Sequence, residues 1–315
     1  MTLEQLKIFV KVVQAGSFTR AAELLDTQKS YVSRVVASLE AELGVKLIER
    51  TTRSLSVTEV GKEIFERAVS IVGAVEETSQ VALSVHGEPR GRLRLTCGVE
   101  FGQLAVGHWI EAYLSTYPDV SVDADYTSRV VDIVHEGFDL AIRIGKLEES
   151  RLVARRLGDL DYGLFAAPAY LQQAGVPRAL DDLHQRSLIM FSGGSHRKGW
   201  SLSPAASPGD VVRFEASARL LVNNAFAVRD AVLKGLGIAA LPLLVARHWI
   251  TTGALVPVLP DWQVANAPVF AVYPSSRYLS PKVRAFIDIA RERFPQECAA
   301  AREAVACVVG APAAA

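Results

Sequence analysis

SFTRAAELLDTQKSYVSRVVASLEAEL, residues 17–43, reads as two short helices meeting at a tight turn. Phe18, Ala21, Ala22 and Leu25 recur at helical spacing in the first, and Val32, Val35, Val36, Leu39 and Leu43 in the second, so each helix has one stripe to bury. Ala21 and Ala22 are small enough for a second helix to cross close by, and Asp26 falls where the turn needs a residue that tolerates left-handed backbone. This is helix-turn-helix spacing. It leaves Gln28, Lys29, Ser30, Ser33 and Arg34 near the start of the second helix, the end that enters a major groove in such motifs. Any compact helical domain also contains two amphipathic helices joined by a turn, so the neighbouring residues must decide.

After Gly44 comes KLIERTTRSLSVT, in which Leu47 and Ile48 precede a polar turn and Leu55 and Val57 alternate with serines. A two-stranded wing is the natural reading. Its tip offers Arg50, Thr51, Thr52 and Arg53 where a DNA backbone or minor groove would pass.

With these residues in view, Leu3 to Gly61, including SFTRAAELL, YVSRVVASLEAELGVKLIERTTR and SVTEVG, resembles the N-terminal winged helix-turn-helix of LysR-type transcriptional regulators, in particular the branch with the TTRSLSVTEVG wing. One departure stands out. Where that family usually opens the recognition helix with Ser-Gln, this chain has Gln28-Lys29, so Thr27 or Asp26 is expected to cap instead, and lysine is expected to shift readout from adenine toward guanine acceptors or phosphate.

The 315 residues, half of them apolar, suffice for two or three domains with sizeable cores. The formal net charge is zero, so no global field draws the chain to nucleic acid. Residues 17–57 hold six basic side chains (Arg20, Lys29, Arg34, Lys46, Arg50, Arg53) against five acids (Glu23, Asp26, Glu40, Glu42, Glu49), which implies weak non-specific binding and dependence on dimer avidity. Cysteines at 97, 298 and 307 give neither a disulfide framework nor metal-ligand spacing, which fits reducing cytosol. The chain starts directly on an amphipathic helix (Leu3, Leu6, Phe9, Val10, Val13) without an apolar leader, and no apolar run is long enough to span a membrane. A soluble, cytoplasmic protein is expected.

From Thr58 to about His86, Val60, Ile64, Ala68, Ile71, Val75 and Ala82 form one stripe. A helix of that length is a rod of about 42 Å and wants a partner helix, unless it is a core helix of the following domain. The resemblance implies a linker helix that pairs two chains antiparallel and sets the spacing of their recognition helices. HGEPRGR, residues 86–92, then marks a boundary.

Beyond it the period changes. Leu93 and Leu95 alternate with Arg92 and Arg94, an apolar helix opens at Phe101-Gly102-Gln103 and runs to Tyr117, Val120 to Ala124 alternate, a further helix runs to His135, and LAIRIG is a short buried strand. This spells a parallel α/β layer. A second set runs from Tyr162 (YGLFAAP, SLIMF, FEASARLLV, AFAVRDAVLKG, GIAALP), and the chain returns through PVFAVYP and SPKVRAFIDIARERF. The LysR-type resemblance continues through YPDVSVDADY, GFDLAIRIG, PAYL and VLKGLGIAALP, covering about residues 91–294, and implies a periplasmic-binding-protein-like effector domain. The expected division is a winged helix-turn-helix domain over 1–58, a linker helix over 59–89, and an effector domain over 90–300. Within the last, lobe I takes 90–161 and 268–300, and lobe II takes 162–267. An Ala-rich tail over 301–315 is expected to be frayed helix and coil.

In such sheets ligands sit beyond the carboxyl ends of strands, against helix N-termini. Four segments qualify: Thr96–Phe101, Thr127–Arg129, Phe191–Trp200 and Asn223–Asn224. The candidate effector residues are therefore Thr96, Gly98, Glu100, Phe101, Thr127, Ser128, Arg143, His196, Asn223 and Asn224. Thr96, Thr127, Ser128 and Asn223 could equally be plain N-caps. Arg143 either pairs with an acid such as Asp139 or Glu100, or reaches the cleft as a carboxylate clamp. Glu100 at the mouth of an otherwise anion-suited site argues for a ligand with an amine or hydroxyls, or for that pairing, so the ligand's charge stays open.

Catalytic readings fail on the residues. GLGIAA, residues 235–240, meets a loose dinucleotide pattern but follows a helix and leads into a strand, the reverse of the order required. The histidines are dispersed, and SGGSHRKG, residues 192–199, is neither a nucleophile elbow nor a triad. No cofactor and no metal is expected. Cys97, near a helix N-terminus that would lower its pKa, is either an oxidant sensor or a small buried residue. The resulting expectation is a homodimeric or homotetrameric transcriptional regulator that binds a double-stranded operator and a small-molecule effector, with RNA polymerase as a further partner. The competing one is an intracellular solute-binding protein or small-molecule enzyme whose N-terminal helices only mediate association.

Overall fold

The first helices form because each has a defined start and stop. In a computed structural model of the chain, Thr2 and Gln5 make a reciprocal capping box on α1 (Leu3–Ala15), and Ser17 caps α2 (Phe18–Leu24). Asp26 takes φ 49, the left-handed turn that leads into α3 (Lys29–Leu43). The N-cap of α3 is Gln28 itself, without a side-chain hydrogen bond, so neither Thr27 nor Asp26 caps the helix as expected. The structure describes residues 1–50, 55–84, 88–147, 152–193, 199–207, 209–275 and 279–310, and for Arg50 and residues 76–84 the backbone alone.

Phe9, Ala21, Ala22, Val32, Val36, Leu39, Leu47 and Phe65 close one core. The wing is the antiparallel pair β1 (Ile48–Arg50) and β2 (Leu55–Val57). What fixes it is Glu40 of α3, only 5% exposed. Its Oε1 accepts from the Leu47 and Ile48 amides at 3.0 and 3.1 Å, and its Oε2 accepts from Lys46 Nζ at 2.6 Å. Burial pushes the Glu40 pKa up, but the Lys46 ammonium and the two amides outweigh that and hold it below its ordinary 4.5. One of the acids counted against DNA binding is thereby removed from the surface.

Thr58 begins α4 (Glu59–Ser84): its hydroxyl donates to Lys46 O at 2.7 Å and accepts from Gly61 N at 2.9 Å. A Cβ at position 61 would stand 2.2 Å from Leu47 O, so the SVTEVG signature is a close passage of α4 under the wing. The stripe expected on α4 divides. Phe65 and Ala68 enter the core with Ile64 packed beside them, whereas Val60, Ile71 and Val75 are exposed; the side chain of Ala82 lies outside the described residues.

Lobe I has the parallel strands β3 (Gly91–Cys97), β4 (Val120–Tyr126) and β5 (Leu140–Ile144). After β3 the helix starts at Val99, earlier than expected: α5 (Val99–Phe101) passes through a π-helical turn at Gly102–Val106 into α6 (Gly107–Thr116). The helix expected up to His135 is instead a loop and turn. Asp132 Oδ1 accepts from the Val134 and His135 amides, and Gly137 ends the turn at φ 68. Two long strands, β6 (Leu152–Ala166) and a returning antiparallel partner, carry one sheet through both lobes, in the order β11-β6-β13-β5-β3-β4 with further strands at its edges.

Lobe II adds α7 (Pro168–Ala174), β7 (Ile189–Phe191), β8 (Gly199–Pro204), β9 (Val212–Glu215), β10 (Leu220–Val222), α8 (Ala225–Leu233), β11 (Ala239–Pro242), α9 (Leu243–Thr251) and β12 (Val256–Pro257), before β13 (Trp262–Pro274) returns. FEASARLLV splits, since β9 pairs with β8 while β10 pairs with β7. The last helix, α10 (Pro281–Val309), does not fray at residue 301 as expected. Ala301 is fully buried against lobe II beside Val305 and Val308, and Arg302 pairs with Asp161 at 2.7 Å.

Removing the Glu40 carboxylate strands two amides against the core, so Glu40→Ala is expected to lower unfolding free energy by about 2–4 kcal/mol in urea titrations. Because the folded pKa is depressed, this stabilisation is complete above the ordinary carboxyl range and drains as pH falls through the folded value. The wild type should therefore lose its advantage over Glu40→Ala on acidification, and a constant difference from pH 7 to pH 3 would contradict the assignment.

Candidate DNA-reading edge and effector cleft

Gln28, Lys29, Ser30 and Arg34 are exposed on the N-terminal half of α3, with Ser33 half-buried between them. Because Gln28 leaves the helix start without a side-chain cap, the first amides of α3 are open to an acceptor such as a phosphate. Ser30 Oγ donates to Gln28 Oε1 at 3.5 Å, a loose contact. Tyr31 turns inward, donating to Glu4 at 2.7 Å and fastening α3 to α1. The side chain of Arg50, and Thr52 and Arg53 altogether, lie outside the described residues.

In the effector domain the four expected segments meet. Thr127 N donates to Cys97 O at 2.9 Å, joining the ends of β3 and β4, and Ser192 N donates to Val222 O at 2.8 Å, joining the ends of β7 and β10. Across the lobes, Glu100 Oε1 accepts from Ala225 N, the first amide of α8, at 2.9 Å. Gly98 is the N-cap of α5 and Asn224 that of α8, where its Oδ1 accepts from Ala227 N at 2.9 Å, so Asn224 is a structural cap. Ser128 and Asn223 are exposed, and Thr127 Oγ1 accepts weakly from Arg129 N at 3.4 Å. His196 lies outside the described residues.

Three expectations are corrected. Phe101 does not face a ligand: it is 4% exposed, edge-on to Trp109 and Phe294 in the lobe I core, because the helix starts before it. Arg143 pairs with neither proposed acid. Asp139 is taken by Lys282 Nζ and the Arg94 amide, both at 2.8 Å, and Glu100 turns to α8. Arg143 Nη2 is buried without a hydrogen-bond partner among the described residues, as is the hydroxyl of the fully buried Thr96; burial lowers the Arg143 pKa. Finally, Cys97 is fully buried, and burial pushes its thiol up to about 12 rather than down.

Spacing gave no sign of a contact between the DNA-binding helices and lobe I. The His135 ring lies 4.6 Å from that of Phe65 on α4, and Gln14 Nε2 donates to Val134 O at 3.4 Å. The backbone at Gly137 takes φ 68, which favours glycine, and a Cβ there would push aside the end of the Gln14 side chain. The same turn is tied back toward the cleft by a two-pronged Arg129–Glu136 pair.

A winged helix-turn-helix joined through one long helix to a two-lobed α/β domain defines the architecture of a DNA-binding protein that carries a second, ligand-type domain. The sequence pattern of bacterial regulatory helix-turn-helix proteins of the lysR family matches residues 3–62, and that of the LysR substrate binding domain matches residues 86–295. The chain belongs to the LysR-type family of transcriptional regulators and is not an enzyme. It is 35% identical over 299 residues to the HTH-type transcriptional regulator PtxR of Pseudomonas aeruginosa, covering 94% of each chain. Among solved structures it is similar to the LysR-type regulator CrgA of Neisseria meningitidis (30% identity, 93% of this chain and 99% of that one, TM-score 0.58). It is also similar to the full-length virulence activator AphB of Vibrio cholerae (26% identity, 92% and 98%, TM-score 0.56).

Burial makes a direct forecast for thiol chemistry. In the native protein Ellman's reagent should titrate the exposed Cys307 and leave Cys97 and the equally buried Cys298 unreacted until denaturant is added. Fast native-state reaction of Cys97 would restore the oxidant-sensing reading.

Proposed function

We propose that this regulator reads its operator with the start of α3, as a homodimer paired through α4 or a tetramer of such dimers, and responds to a small molecule held between its lobes. The observation that carries the reading is the exposed, uncapped polar edge Gln28–Arg34. Lys29, Ser30, Ser33 and Arg34 reach base edges, with Gln28 at the helix start. Arg50, Thr52 and Arg53 of the wing hold phosphates or minor groove. The division is residues 1–58 for DNA, 59–89 for pairing and 90–300 for the effector, with the last turns of α10 belonging to that domain.

The case for pairing is physical. Val60, Ile71 and Val75 stand 46, 43 and 37% exposed on α4, an apolar face its own domain leaves uncovered. On a chain of zero net charge, one weakly basic reading head gains affinity by being linked to a second. A pseudo-palindromic operator with half-sites one or more helical turns apart follows from two-fold symmetry. Thr96, Gly98, Glu100, Thr127, Ser128, Arg143, His196 and Asn223 remain the proposed surroundings of the effector. No helix among the described residues is long and apolar enough to cross a membrane, which agrees with action in the cytoplasm, where RNA polymerase is the further partner.

Gel-shift titrations test the reading edge. Lys29→Ala and Ser33→Ala should relax preference at particular base pairs. Arg53→Ala should weaken operator and random DNA alike and reduce the salt slope by about one. Equal losses on both DNAs for Lys29→Ala would remove its base-reading role. Ile71→Glu should yield monomers in sedimentation and weaken operator binding by about 100-fold; an unchanged oligomer would place the pairing surface elsewhere.

A further inference from the structure

The two lobes are fastened by a charge at the place where a ligand's charge would be sought. Helix α8 begins with amides that have no partner within the helix, and its N-terminus favours an anion. Asn224 satisfies the amide of Ala227, and the amide of Ala225 is satisfied from the other lobe by Glu100 Oε1 at 2.9 Å. Among the described residues Glu100 makes no ion pair, and the one cation within α8, Arg229, is turned to Asp230 and stacked over Phe226. Among the described residues the Glu100 charge is therefore answered by the helix terminus alone.

The junction around it is closed. Leu104 of lobe I packs into the apolar cluster of lobe II, and Leu244 of lobe II packs against the cluster of lobe I. On the lobe I side, by contrast, donors are left over: the Thr96 hydroxyl, fully buried, and Arg143 Nη2, both without partners among the described residues.

We propose that Glu100 is a specificity gate: it reserves the start of α8 for the chain's own carboxylate, so the effector presents no acid group toward that end of lobe II. A second carboxylate at α8 would meet both an occupied amide and a like charge beside it, and like charges at such a distance repel strongly outside bulk water. The inference rests on reading the cleft as the effector site and adds which chemistry that site refuses.

Chemical rescue tests it on the full-length protein, with acetate as the probe and chloride at equal ionic strength as the control. Hydrogen exchange of the segment spanning residues 222–233 is read in the wild type, Glu100→Ala and Glu100→Gln. The wild type should protect the first turn of α8 with or without acetate. Glu100→Ala should exchange there about tenfold faster and regain protection when acetate fills the vacated place. Glu100→Gln, which keeps the shape without the charge, should exchange a few times faster and ignore acetate, and it carries the test if the alanine variant fails to fold. Equal protection in wild type and Glu100→Gln, protection of α8 by acetate in the wild type, or loosening in Glu100→Ala that acetate does not reverse would each overturn the proposal. Operator binding that answers to no small molecule would instead remove the effector reading, and the exchange result, obtained with no effector present, would stand apart from it.

Discussion

A carboxylate sealed inside a small helical domain decides how this protein can face DNA. Glu40 is held by the amides of Leu47 and Ile48 and by Lys46, and through them α3 and the first wing strand become one rigid piece. Thr58 and Gly61 then draw α4 against the back of the same turn. With these contacts made, Gln28, Lys29, Ser30 and Arg34 are left exposed on α3, and the direction of α4 is set relative to them. In the proposed pairing of two reading heads, rigidity counts for more than charge, since flexible heads dissipate the gain from being linked.

The second constraint is that ligand and operator domains touch. The turn at residues 132–137 covers the lobe I sheet on one side, where Arg94 stacks over Phe138 at 5.0 Å, and presses on Phe65 and Gln14 on the other. Phe65 is fully buried at the point where α4 leaves the DNA-binding core, so a shift of this turn cannot be absorbed by solvent. Arg129, two residues beyond Thr127, is anchored to Glu136 within the same turn. The end of β4 and the start of α4 are thereby joined through packed contacts.

Periodicity made most of this architecture legible. The stripes of α1 to α3, the left-handed Asp26 and the parallel order of lobe I follow from spacing, because each depends on residues near in sequence. What escaped depends on long-range partners. Nothing local says that Glu40 points inward, that Asp139 belongs to Lys282 across the sheet, or that Glu100 reaches Ala225 in the other lobe. The turn at 132–137 was misread as helix because its apolar residues keep a helical spacing while Asp132 captures the amides a helix would need. Low complexity hid the end of α10, yet alanine is the best helix former and small enough to lie flat on lobe II.

Two acids thus play opposite parts in one chain. Glu40 is enclosed with its partners inside a single domain, where losing it would unravel the reading head, and its charge has no alternative role. Glu100 is half-buried and its partner belongs to a different lobe, so the same kind of hydrogen bond here joins two lobes instead of two parts of one domain. A charge-assisted hydrogen bond is roughly twice as strong as a neutral one, so the charge of Glu100, and not its shape alone, holds the start of α8 to lobe I.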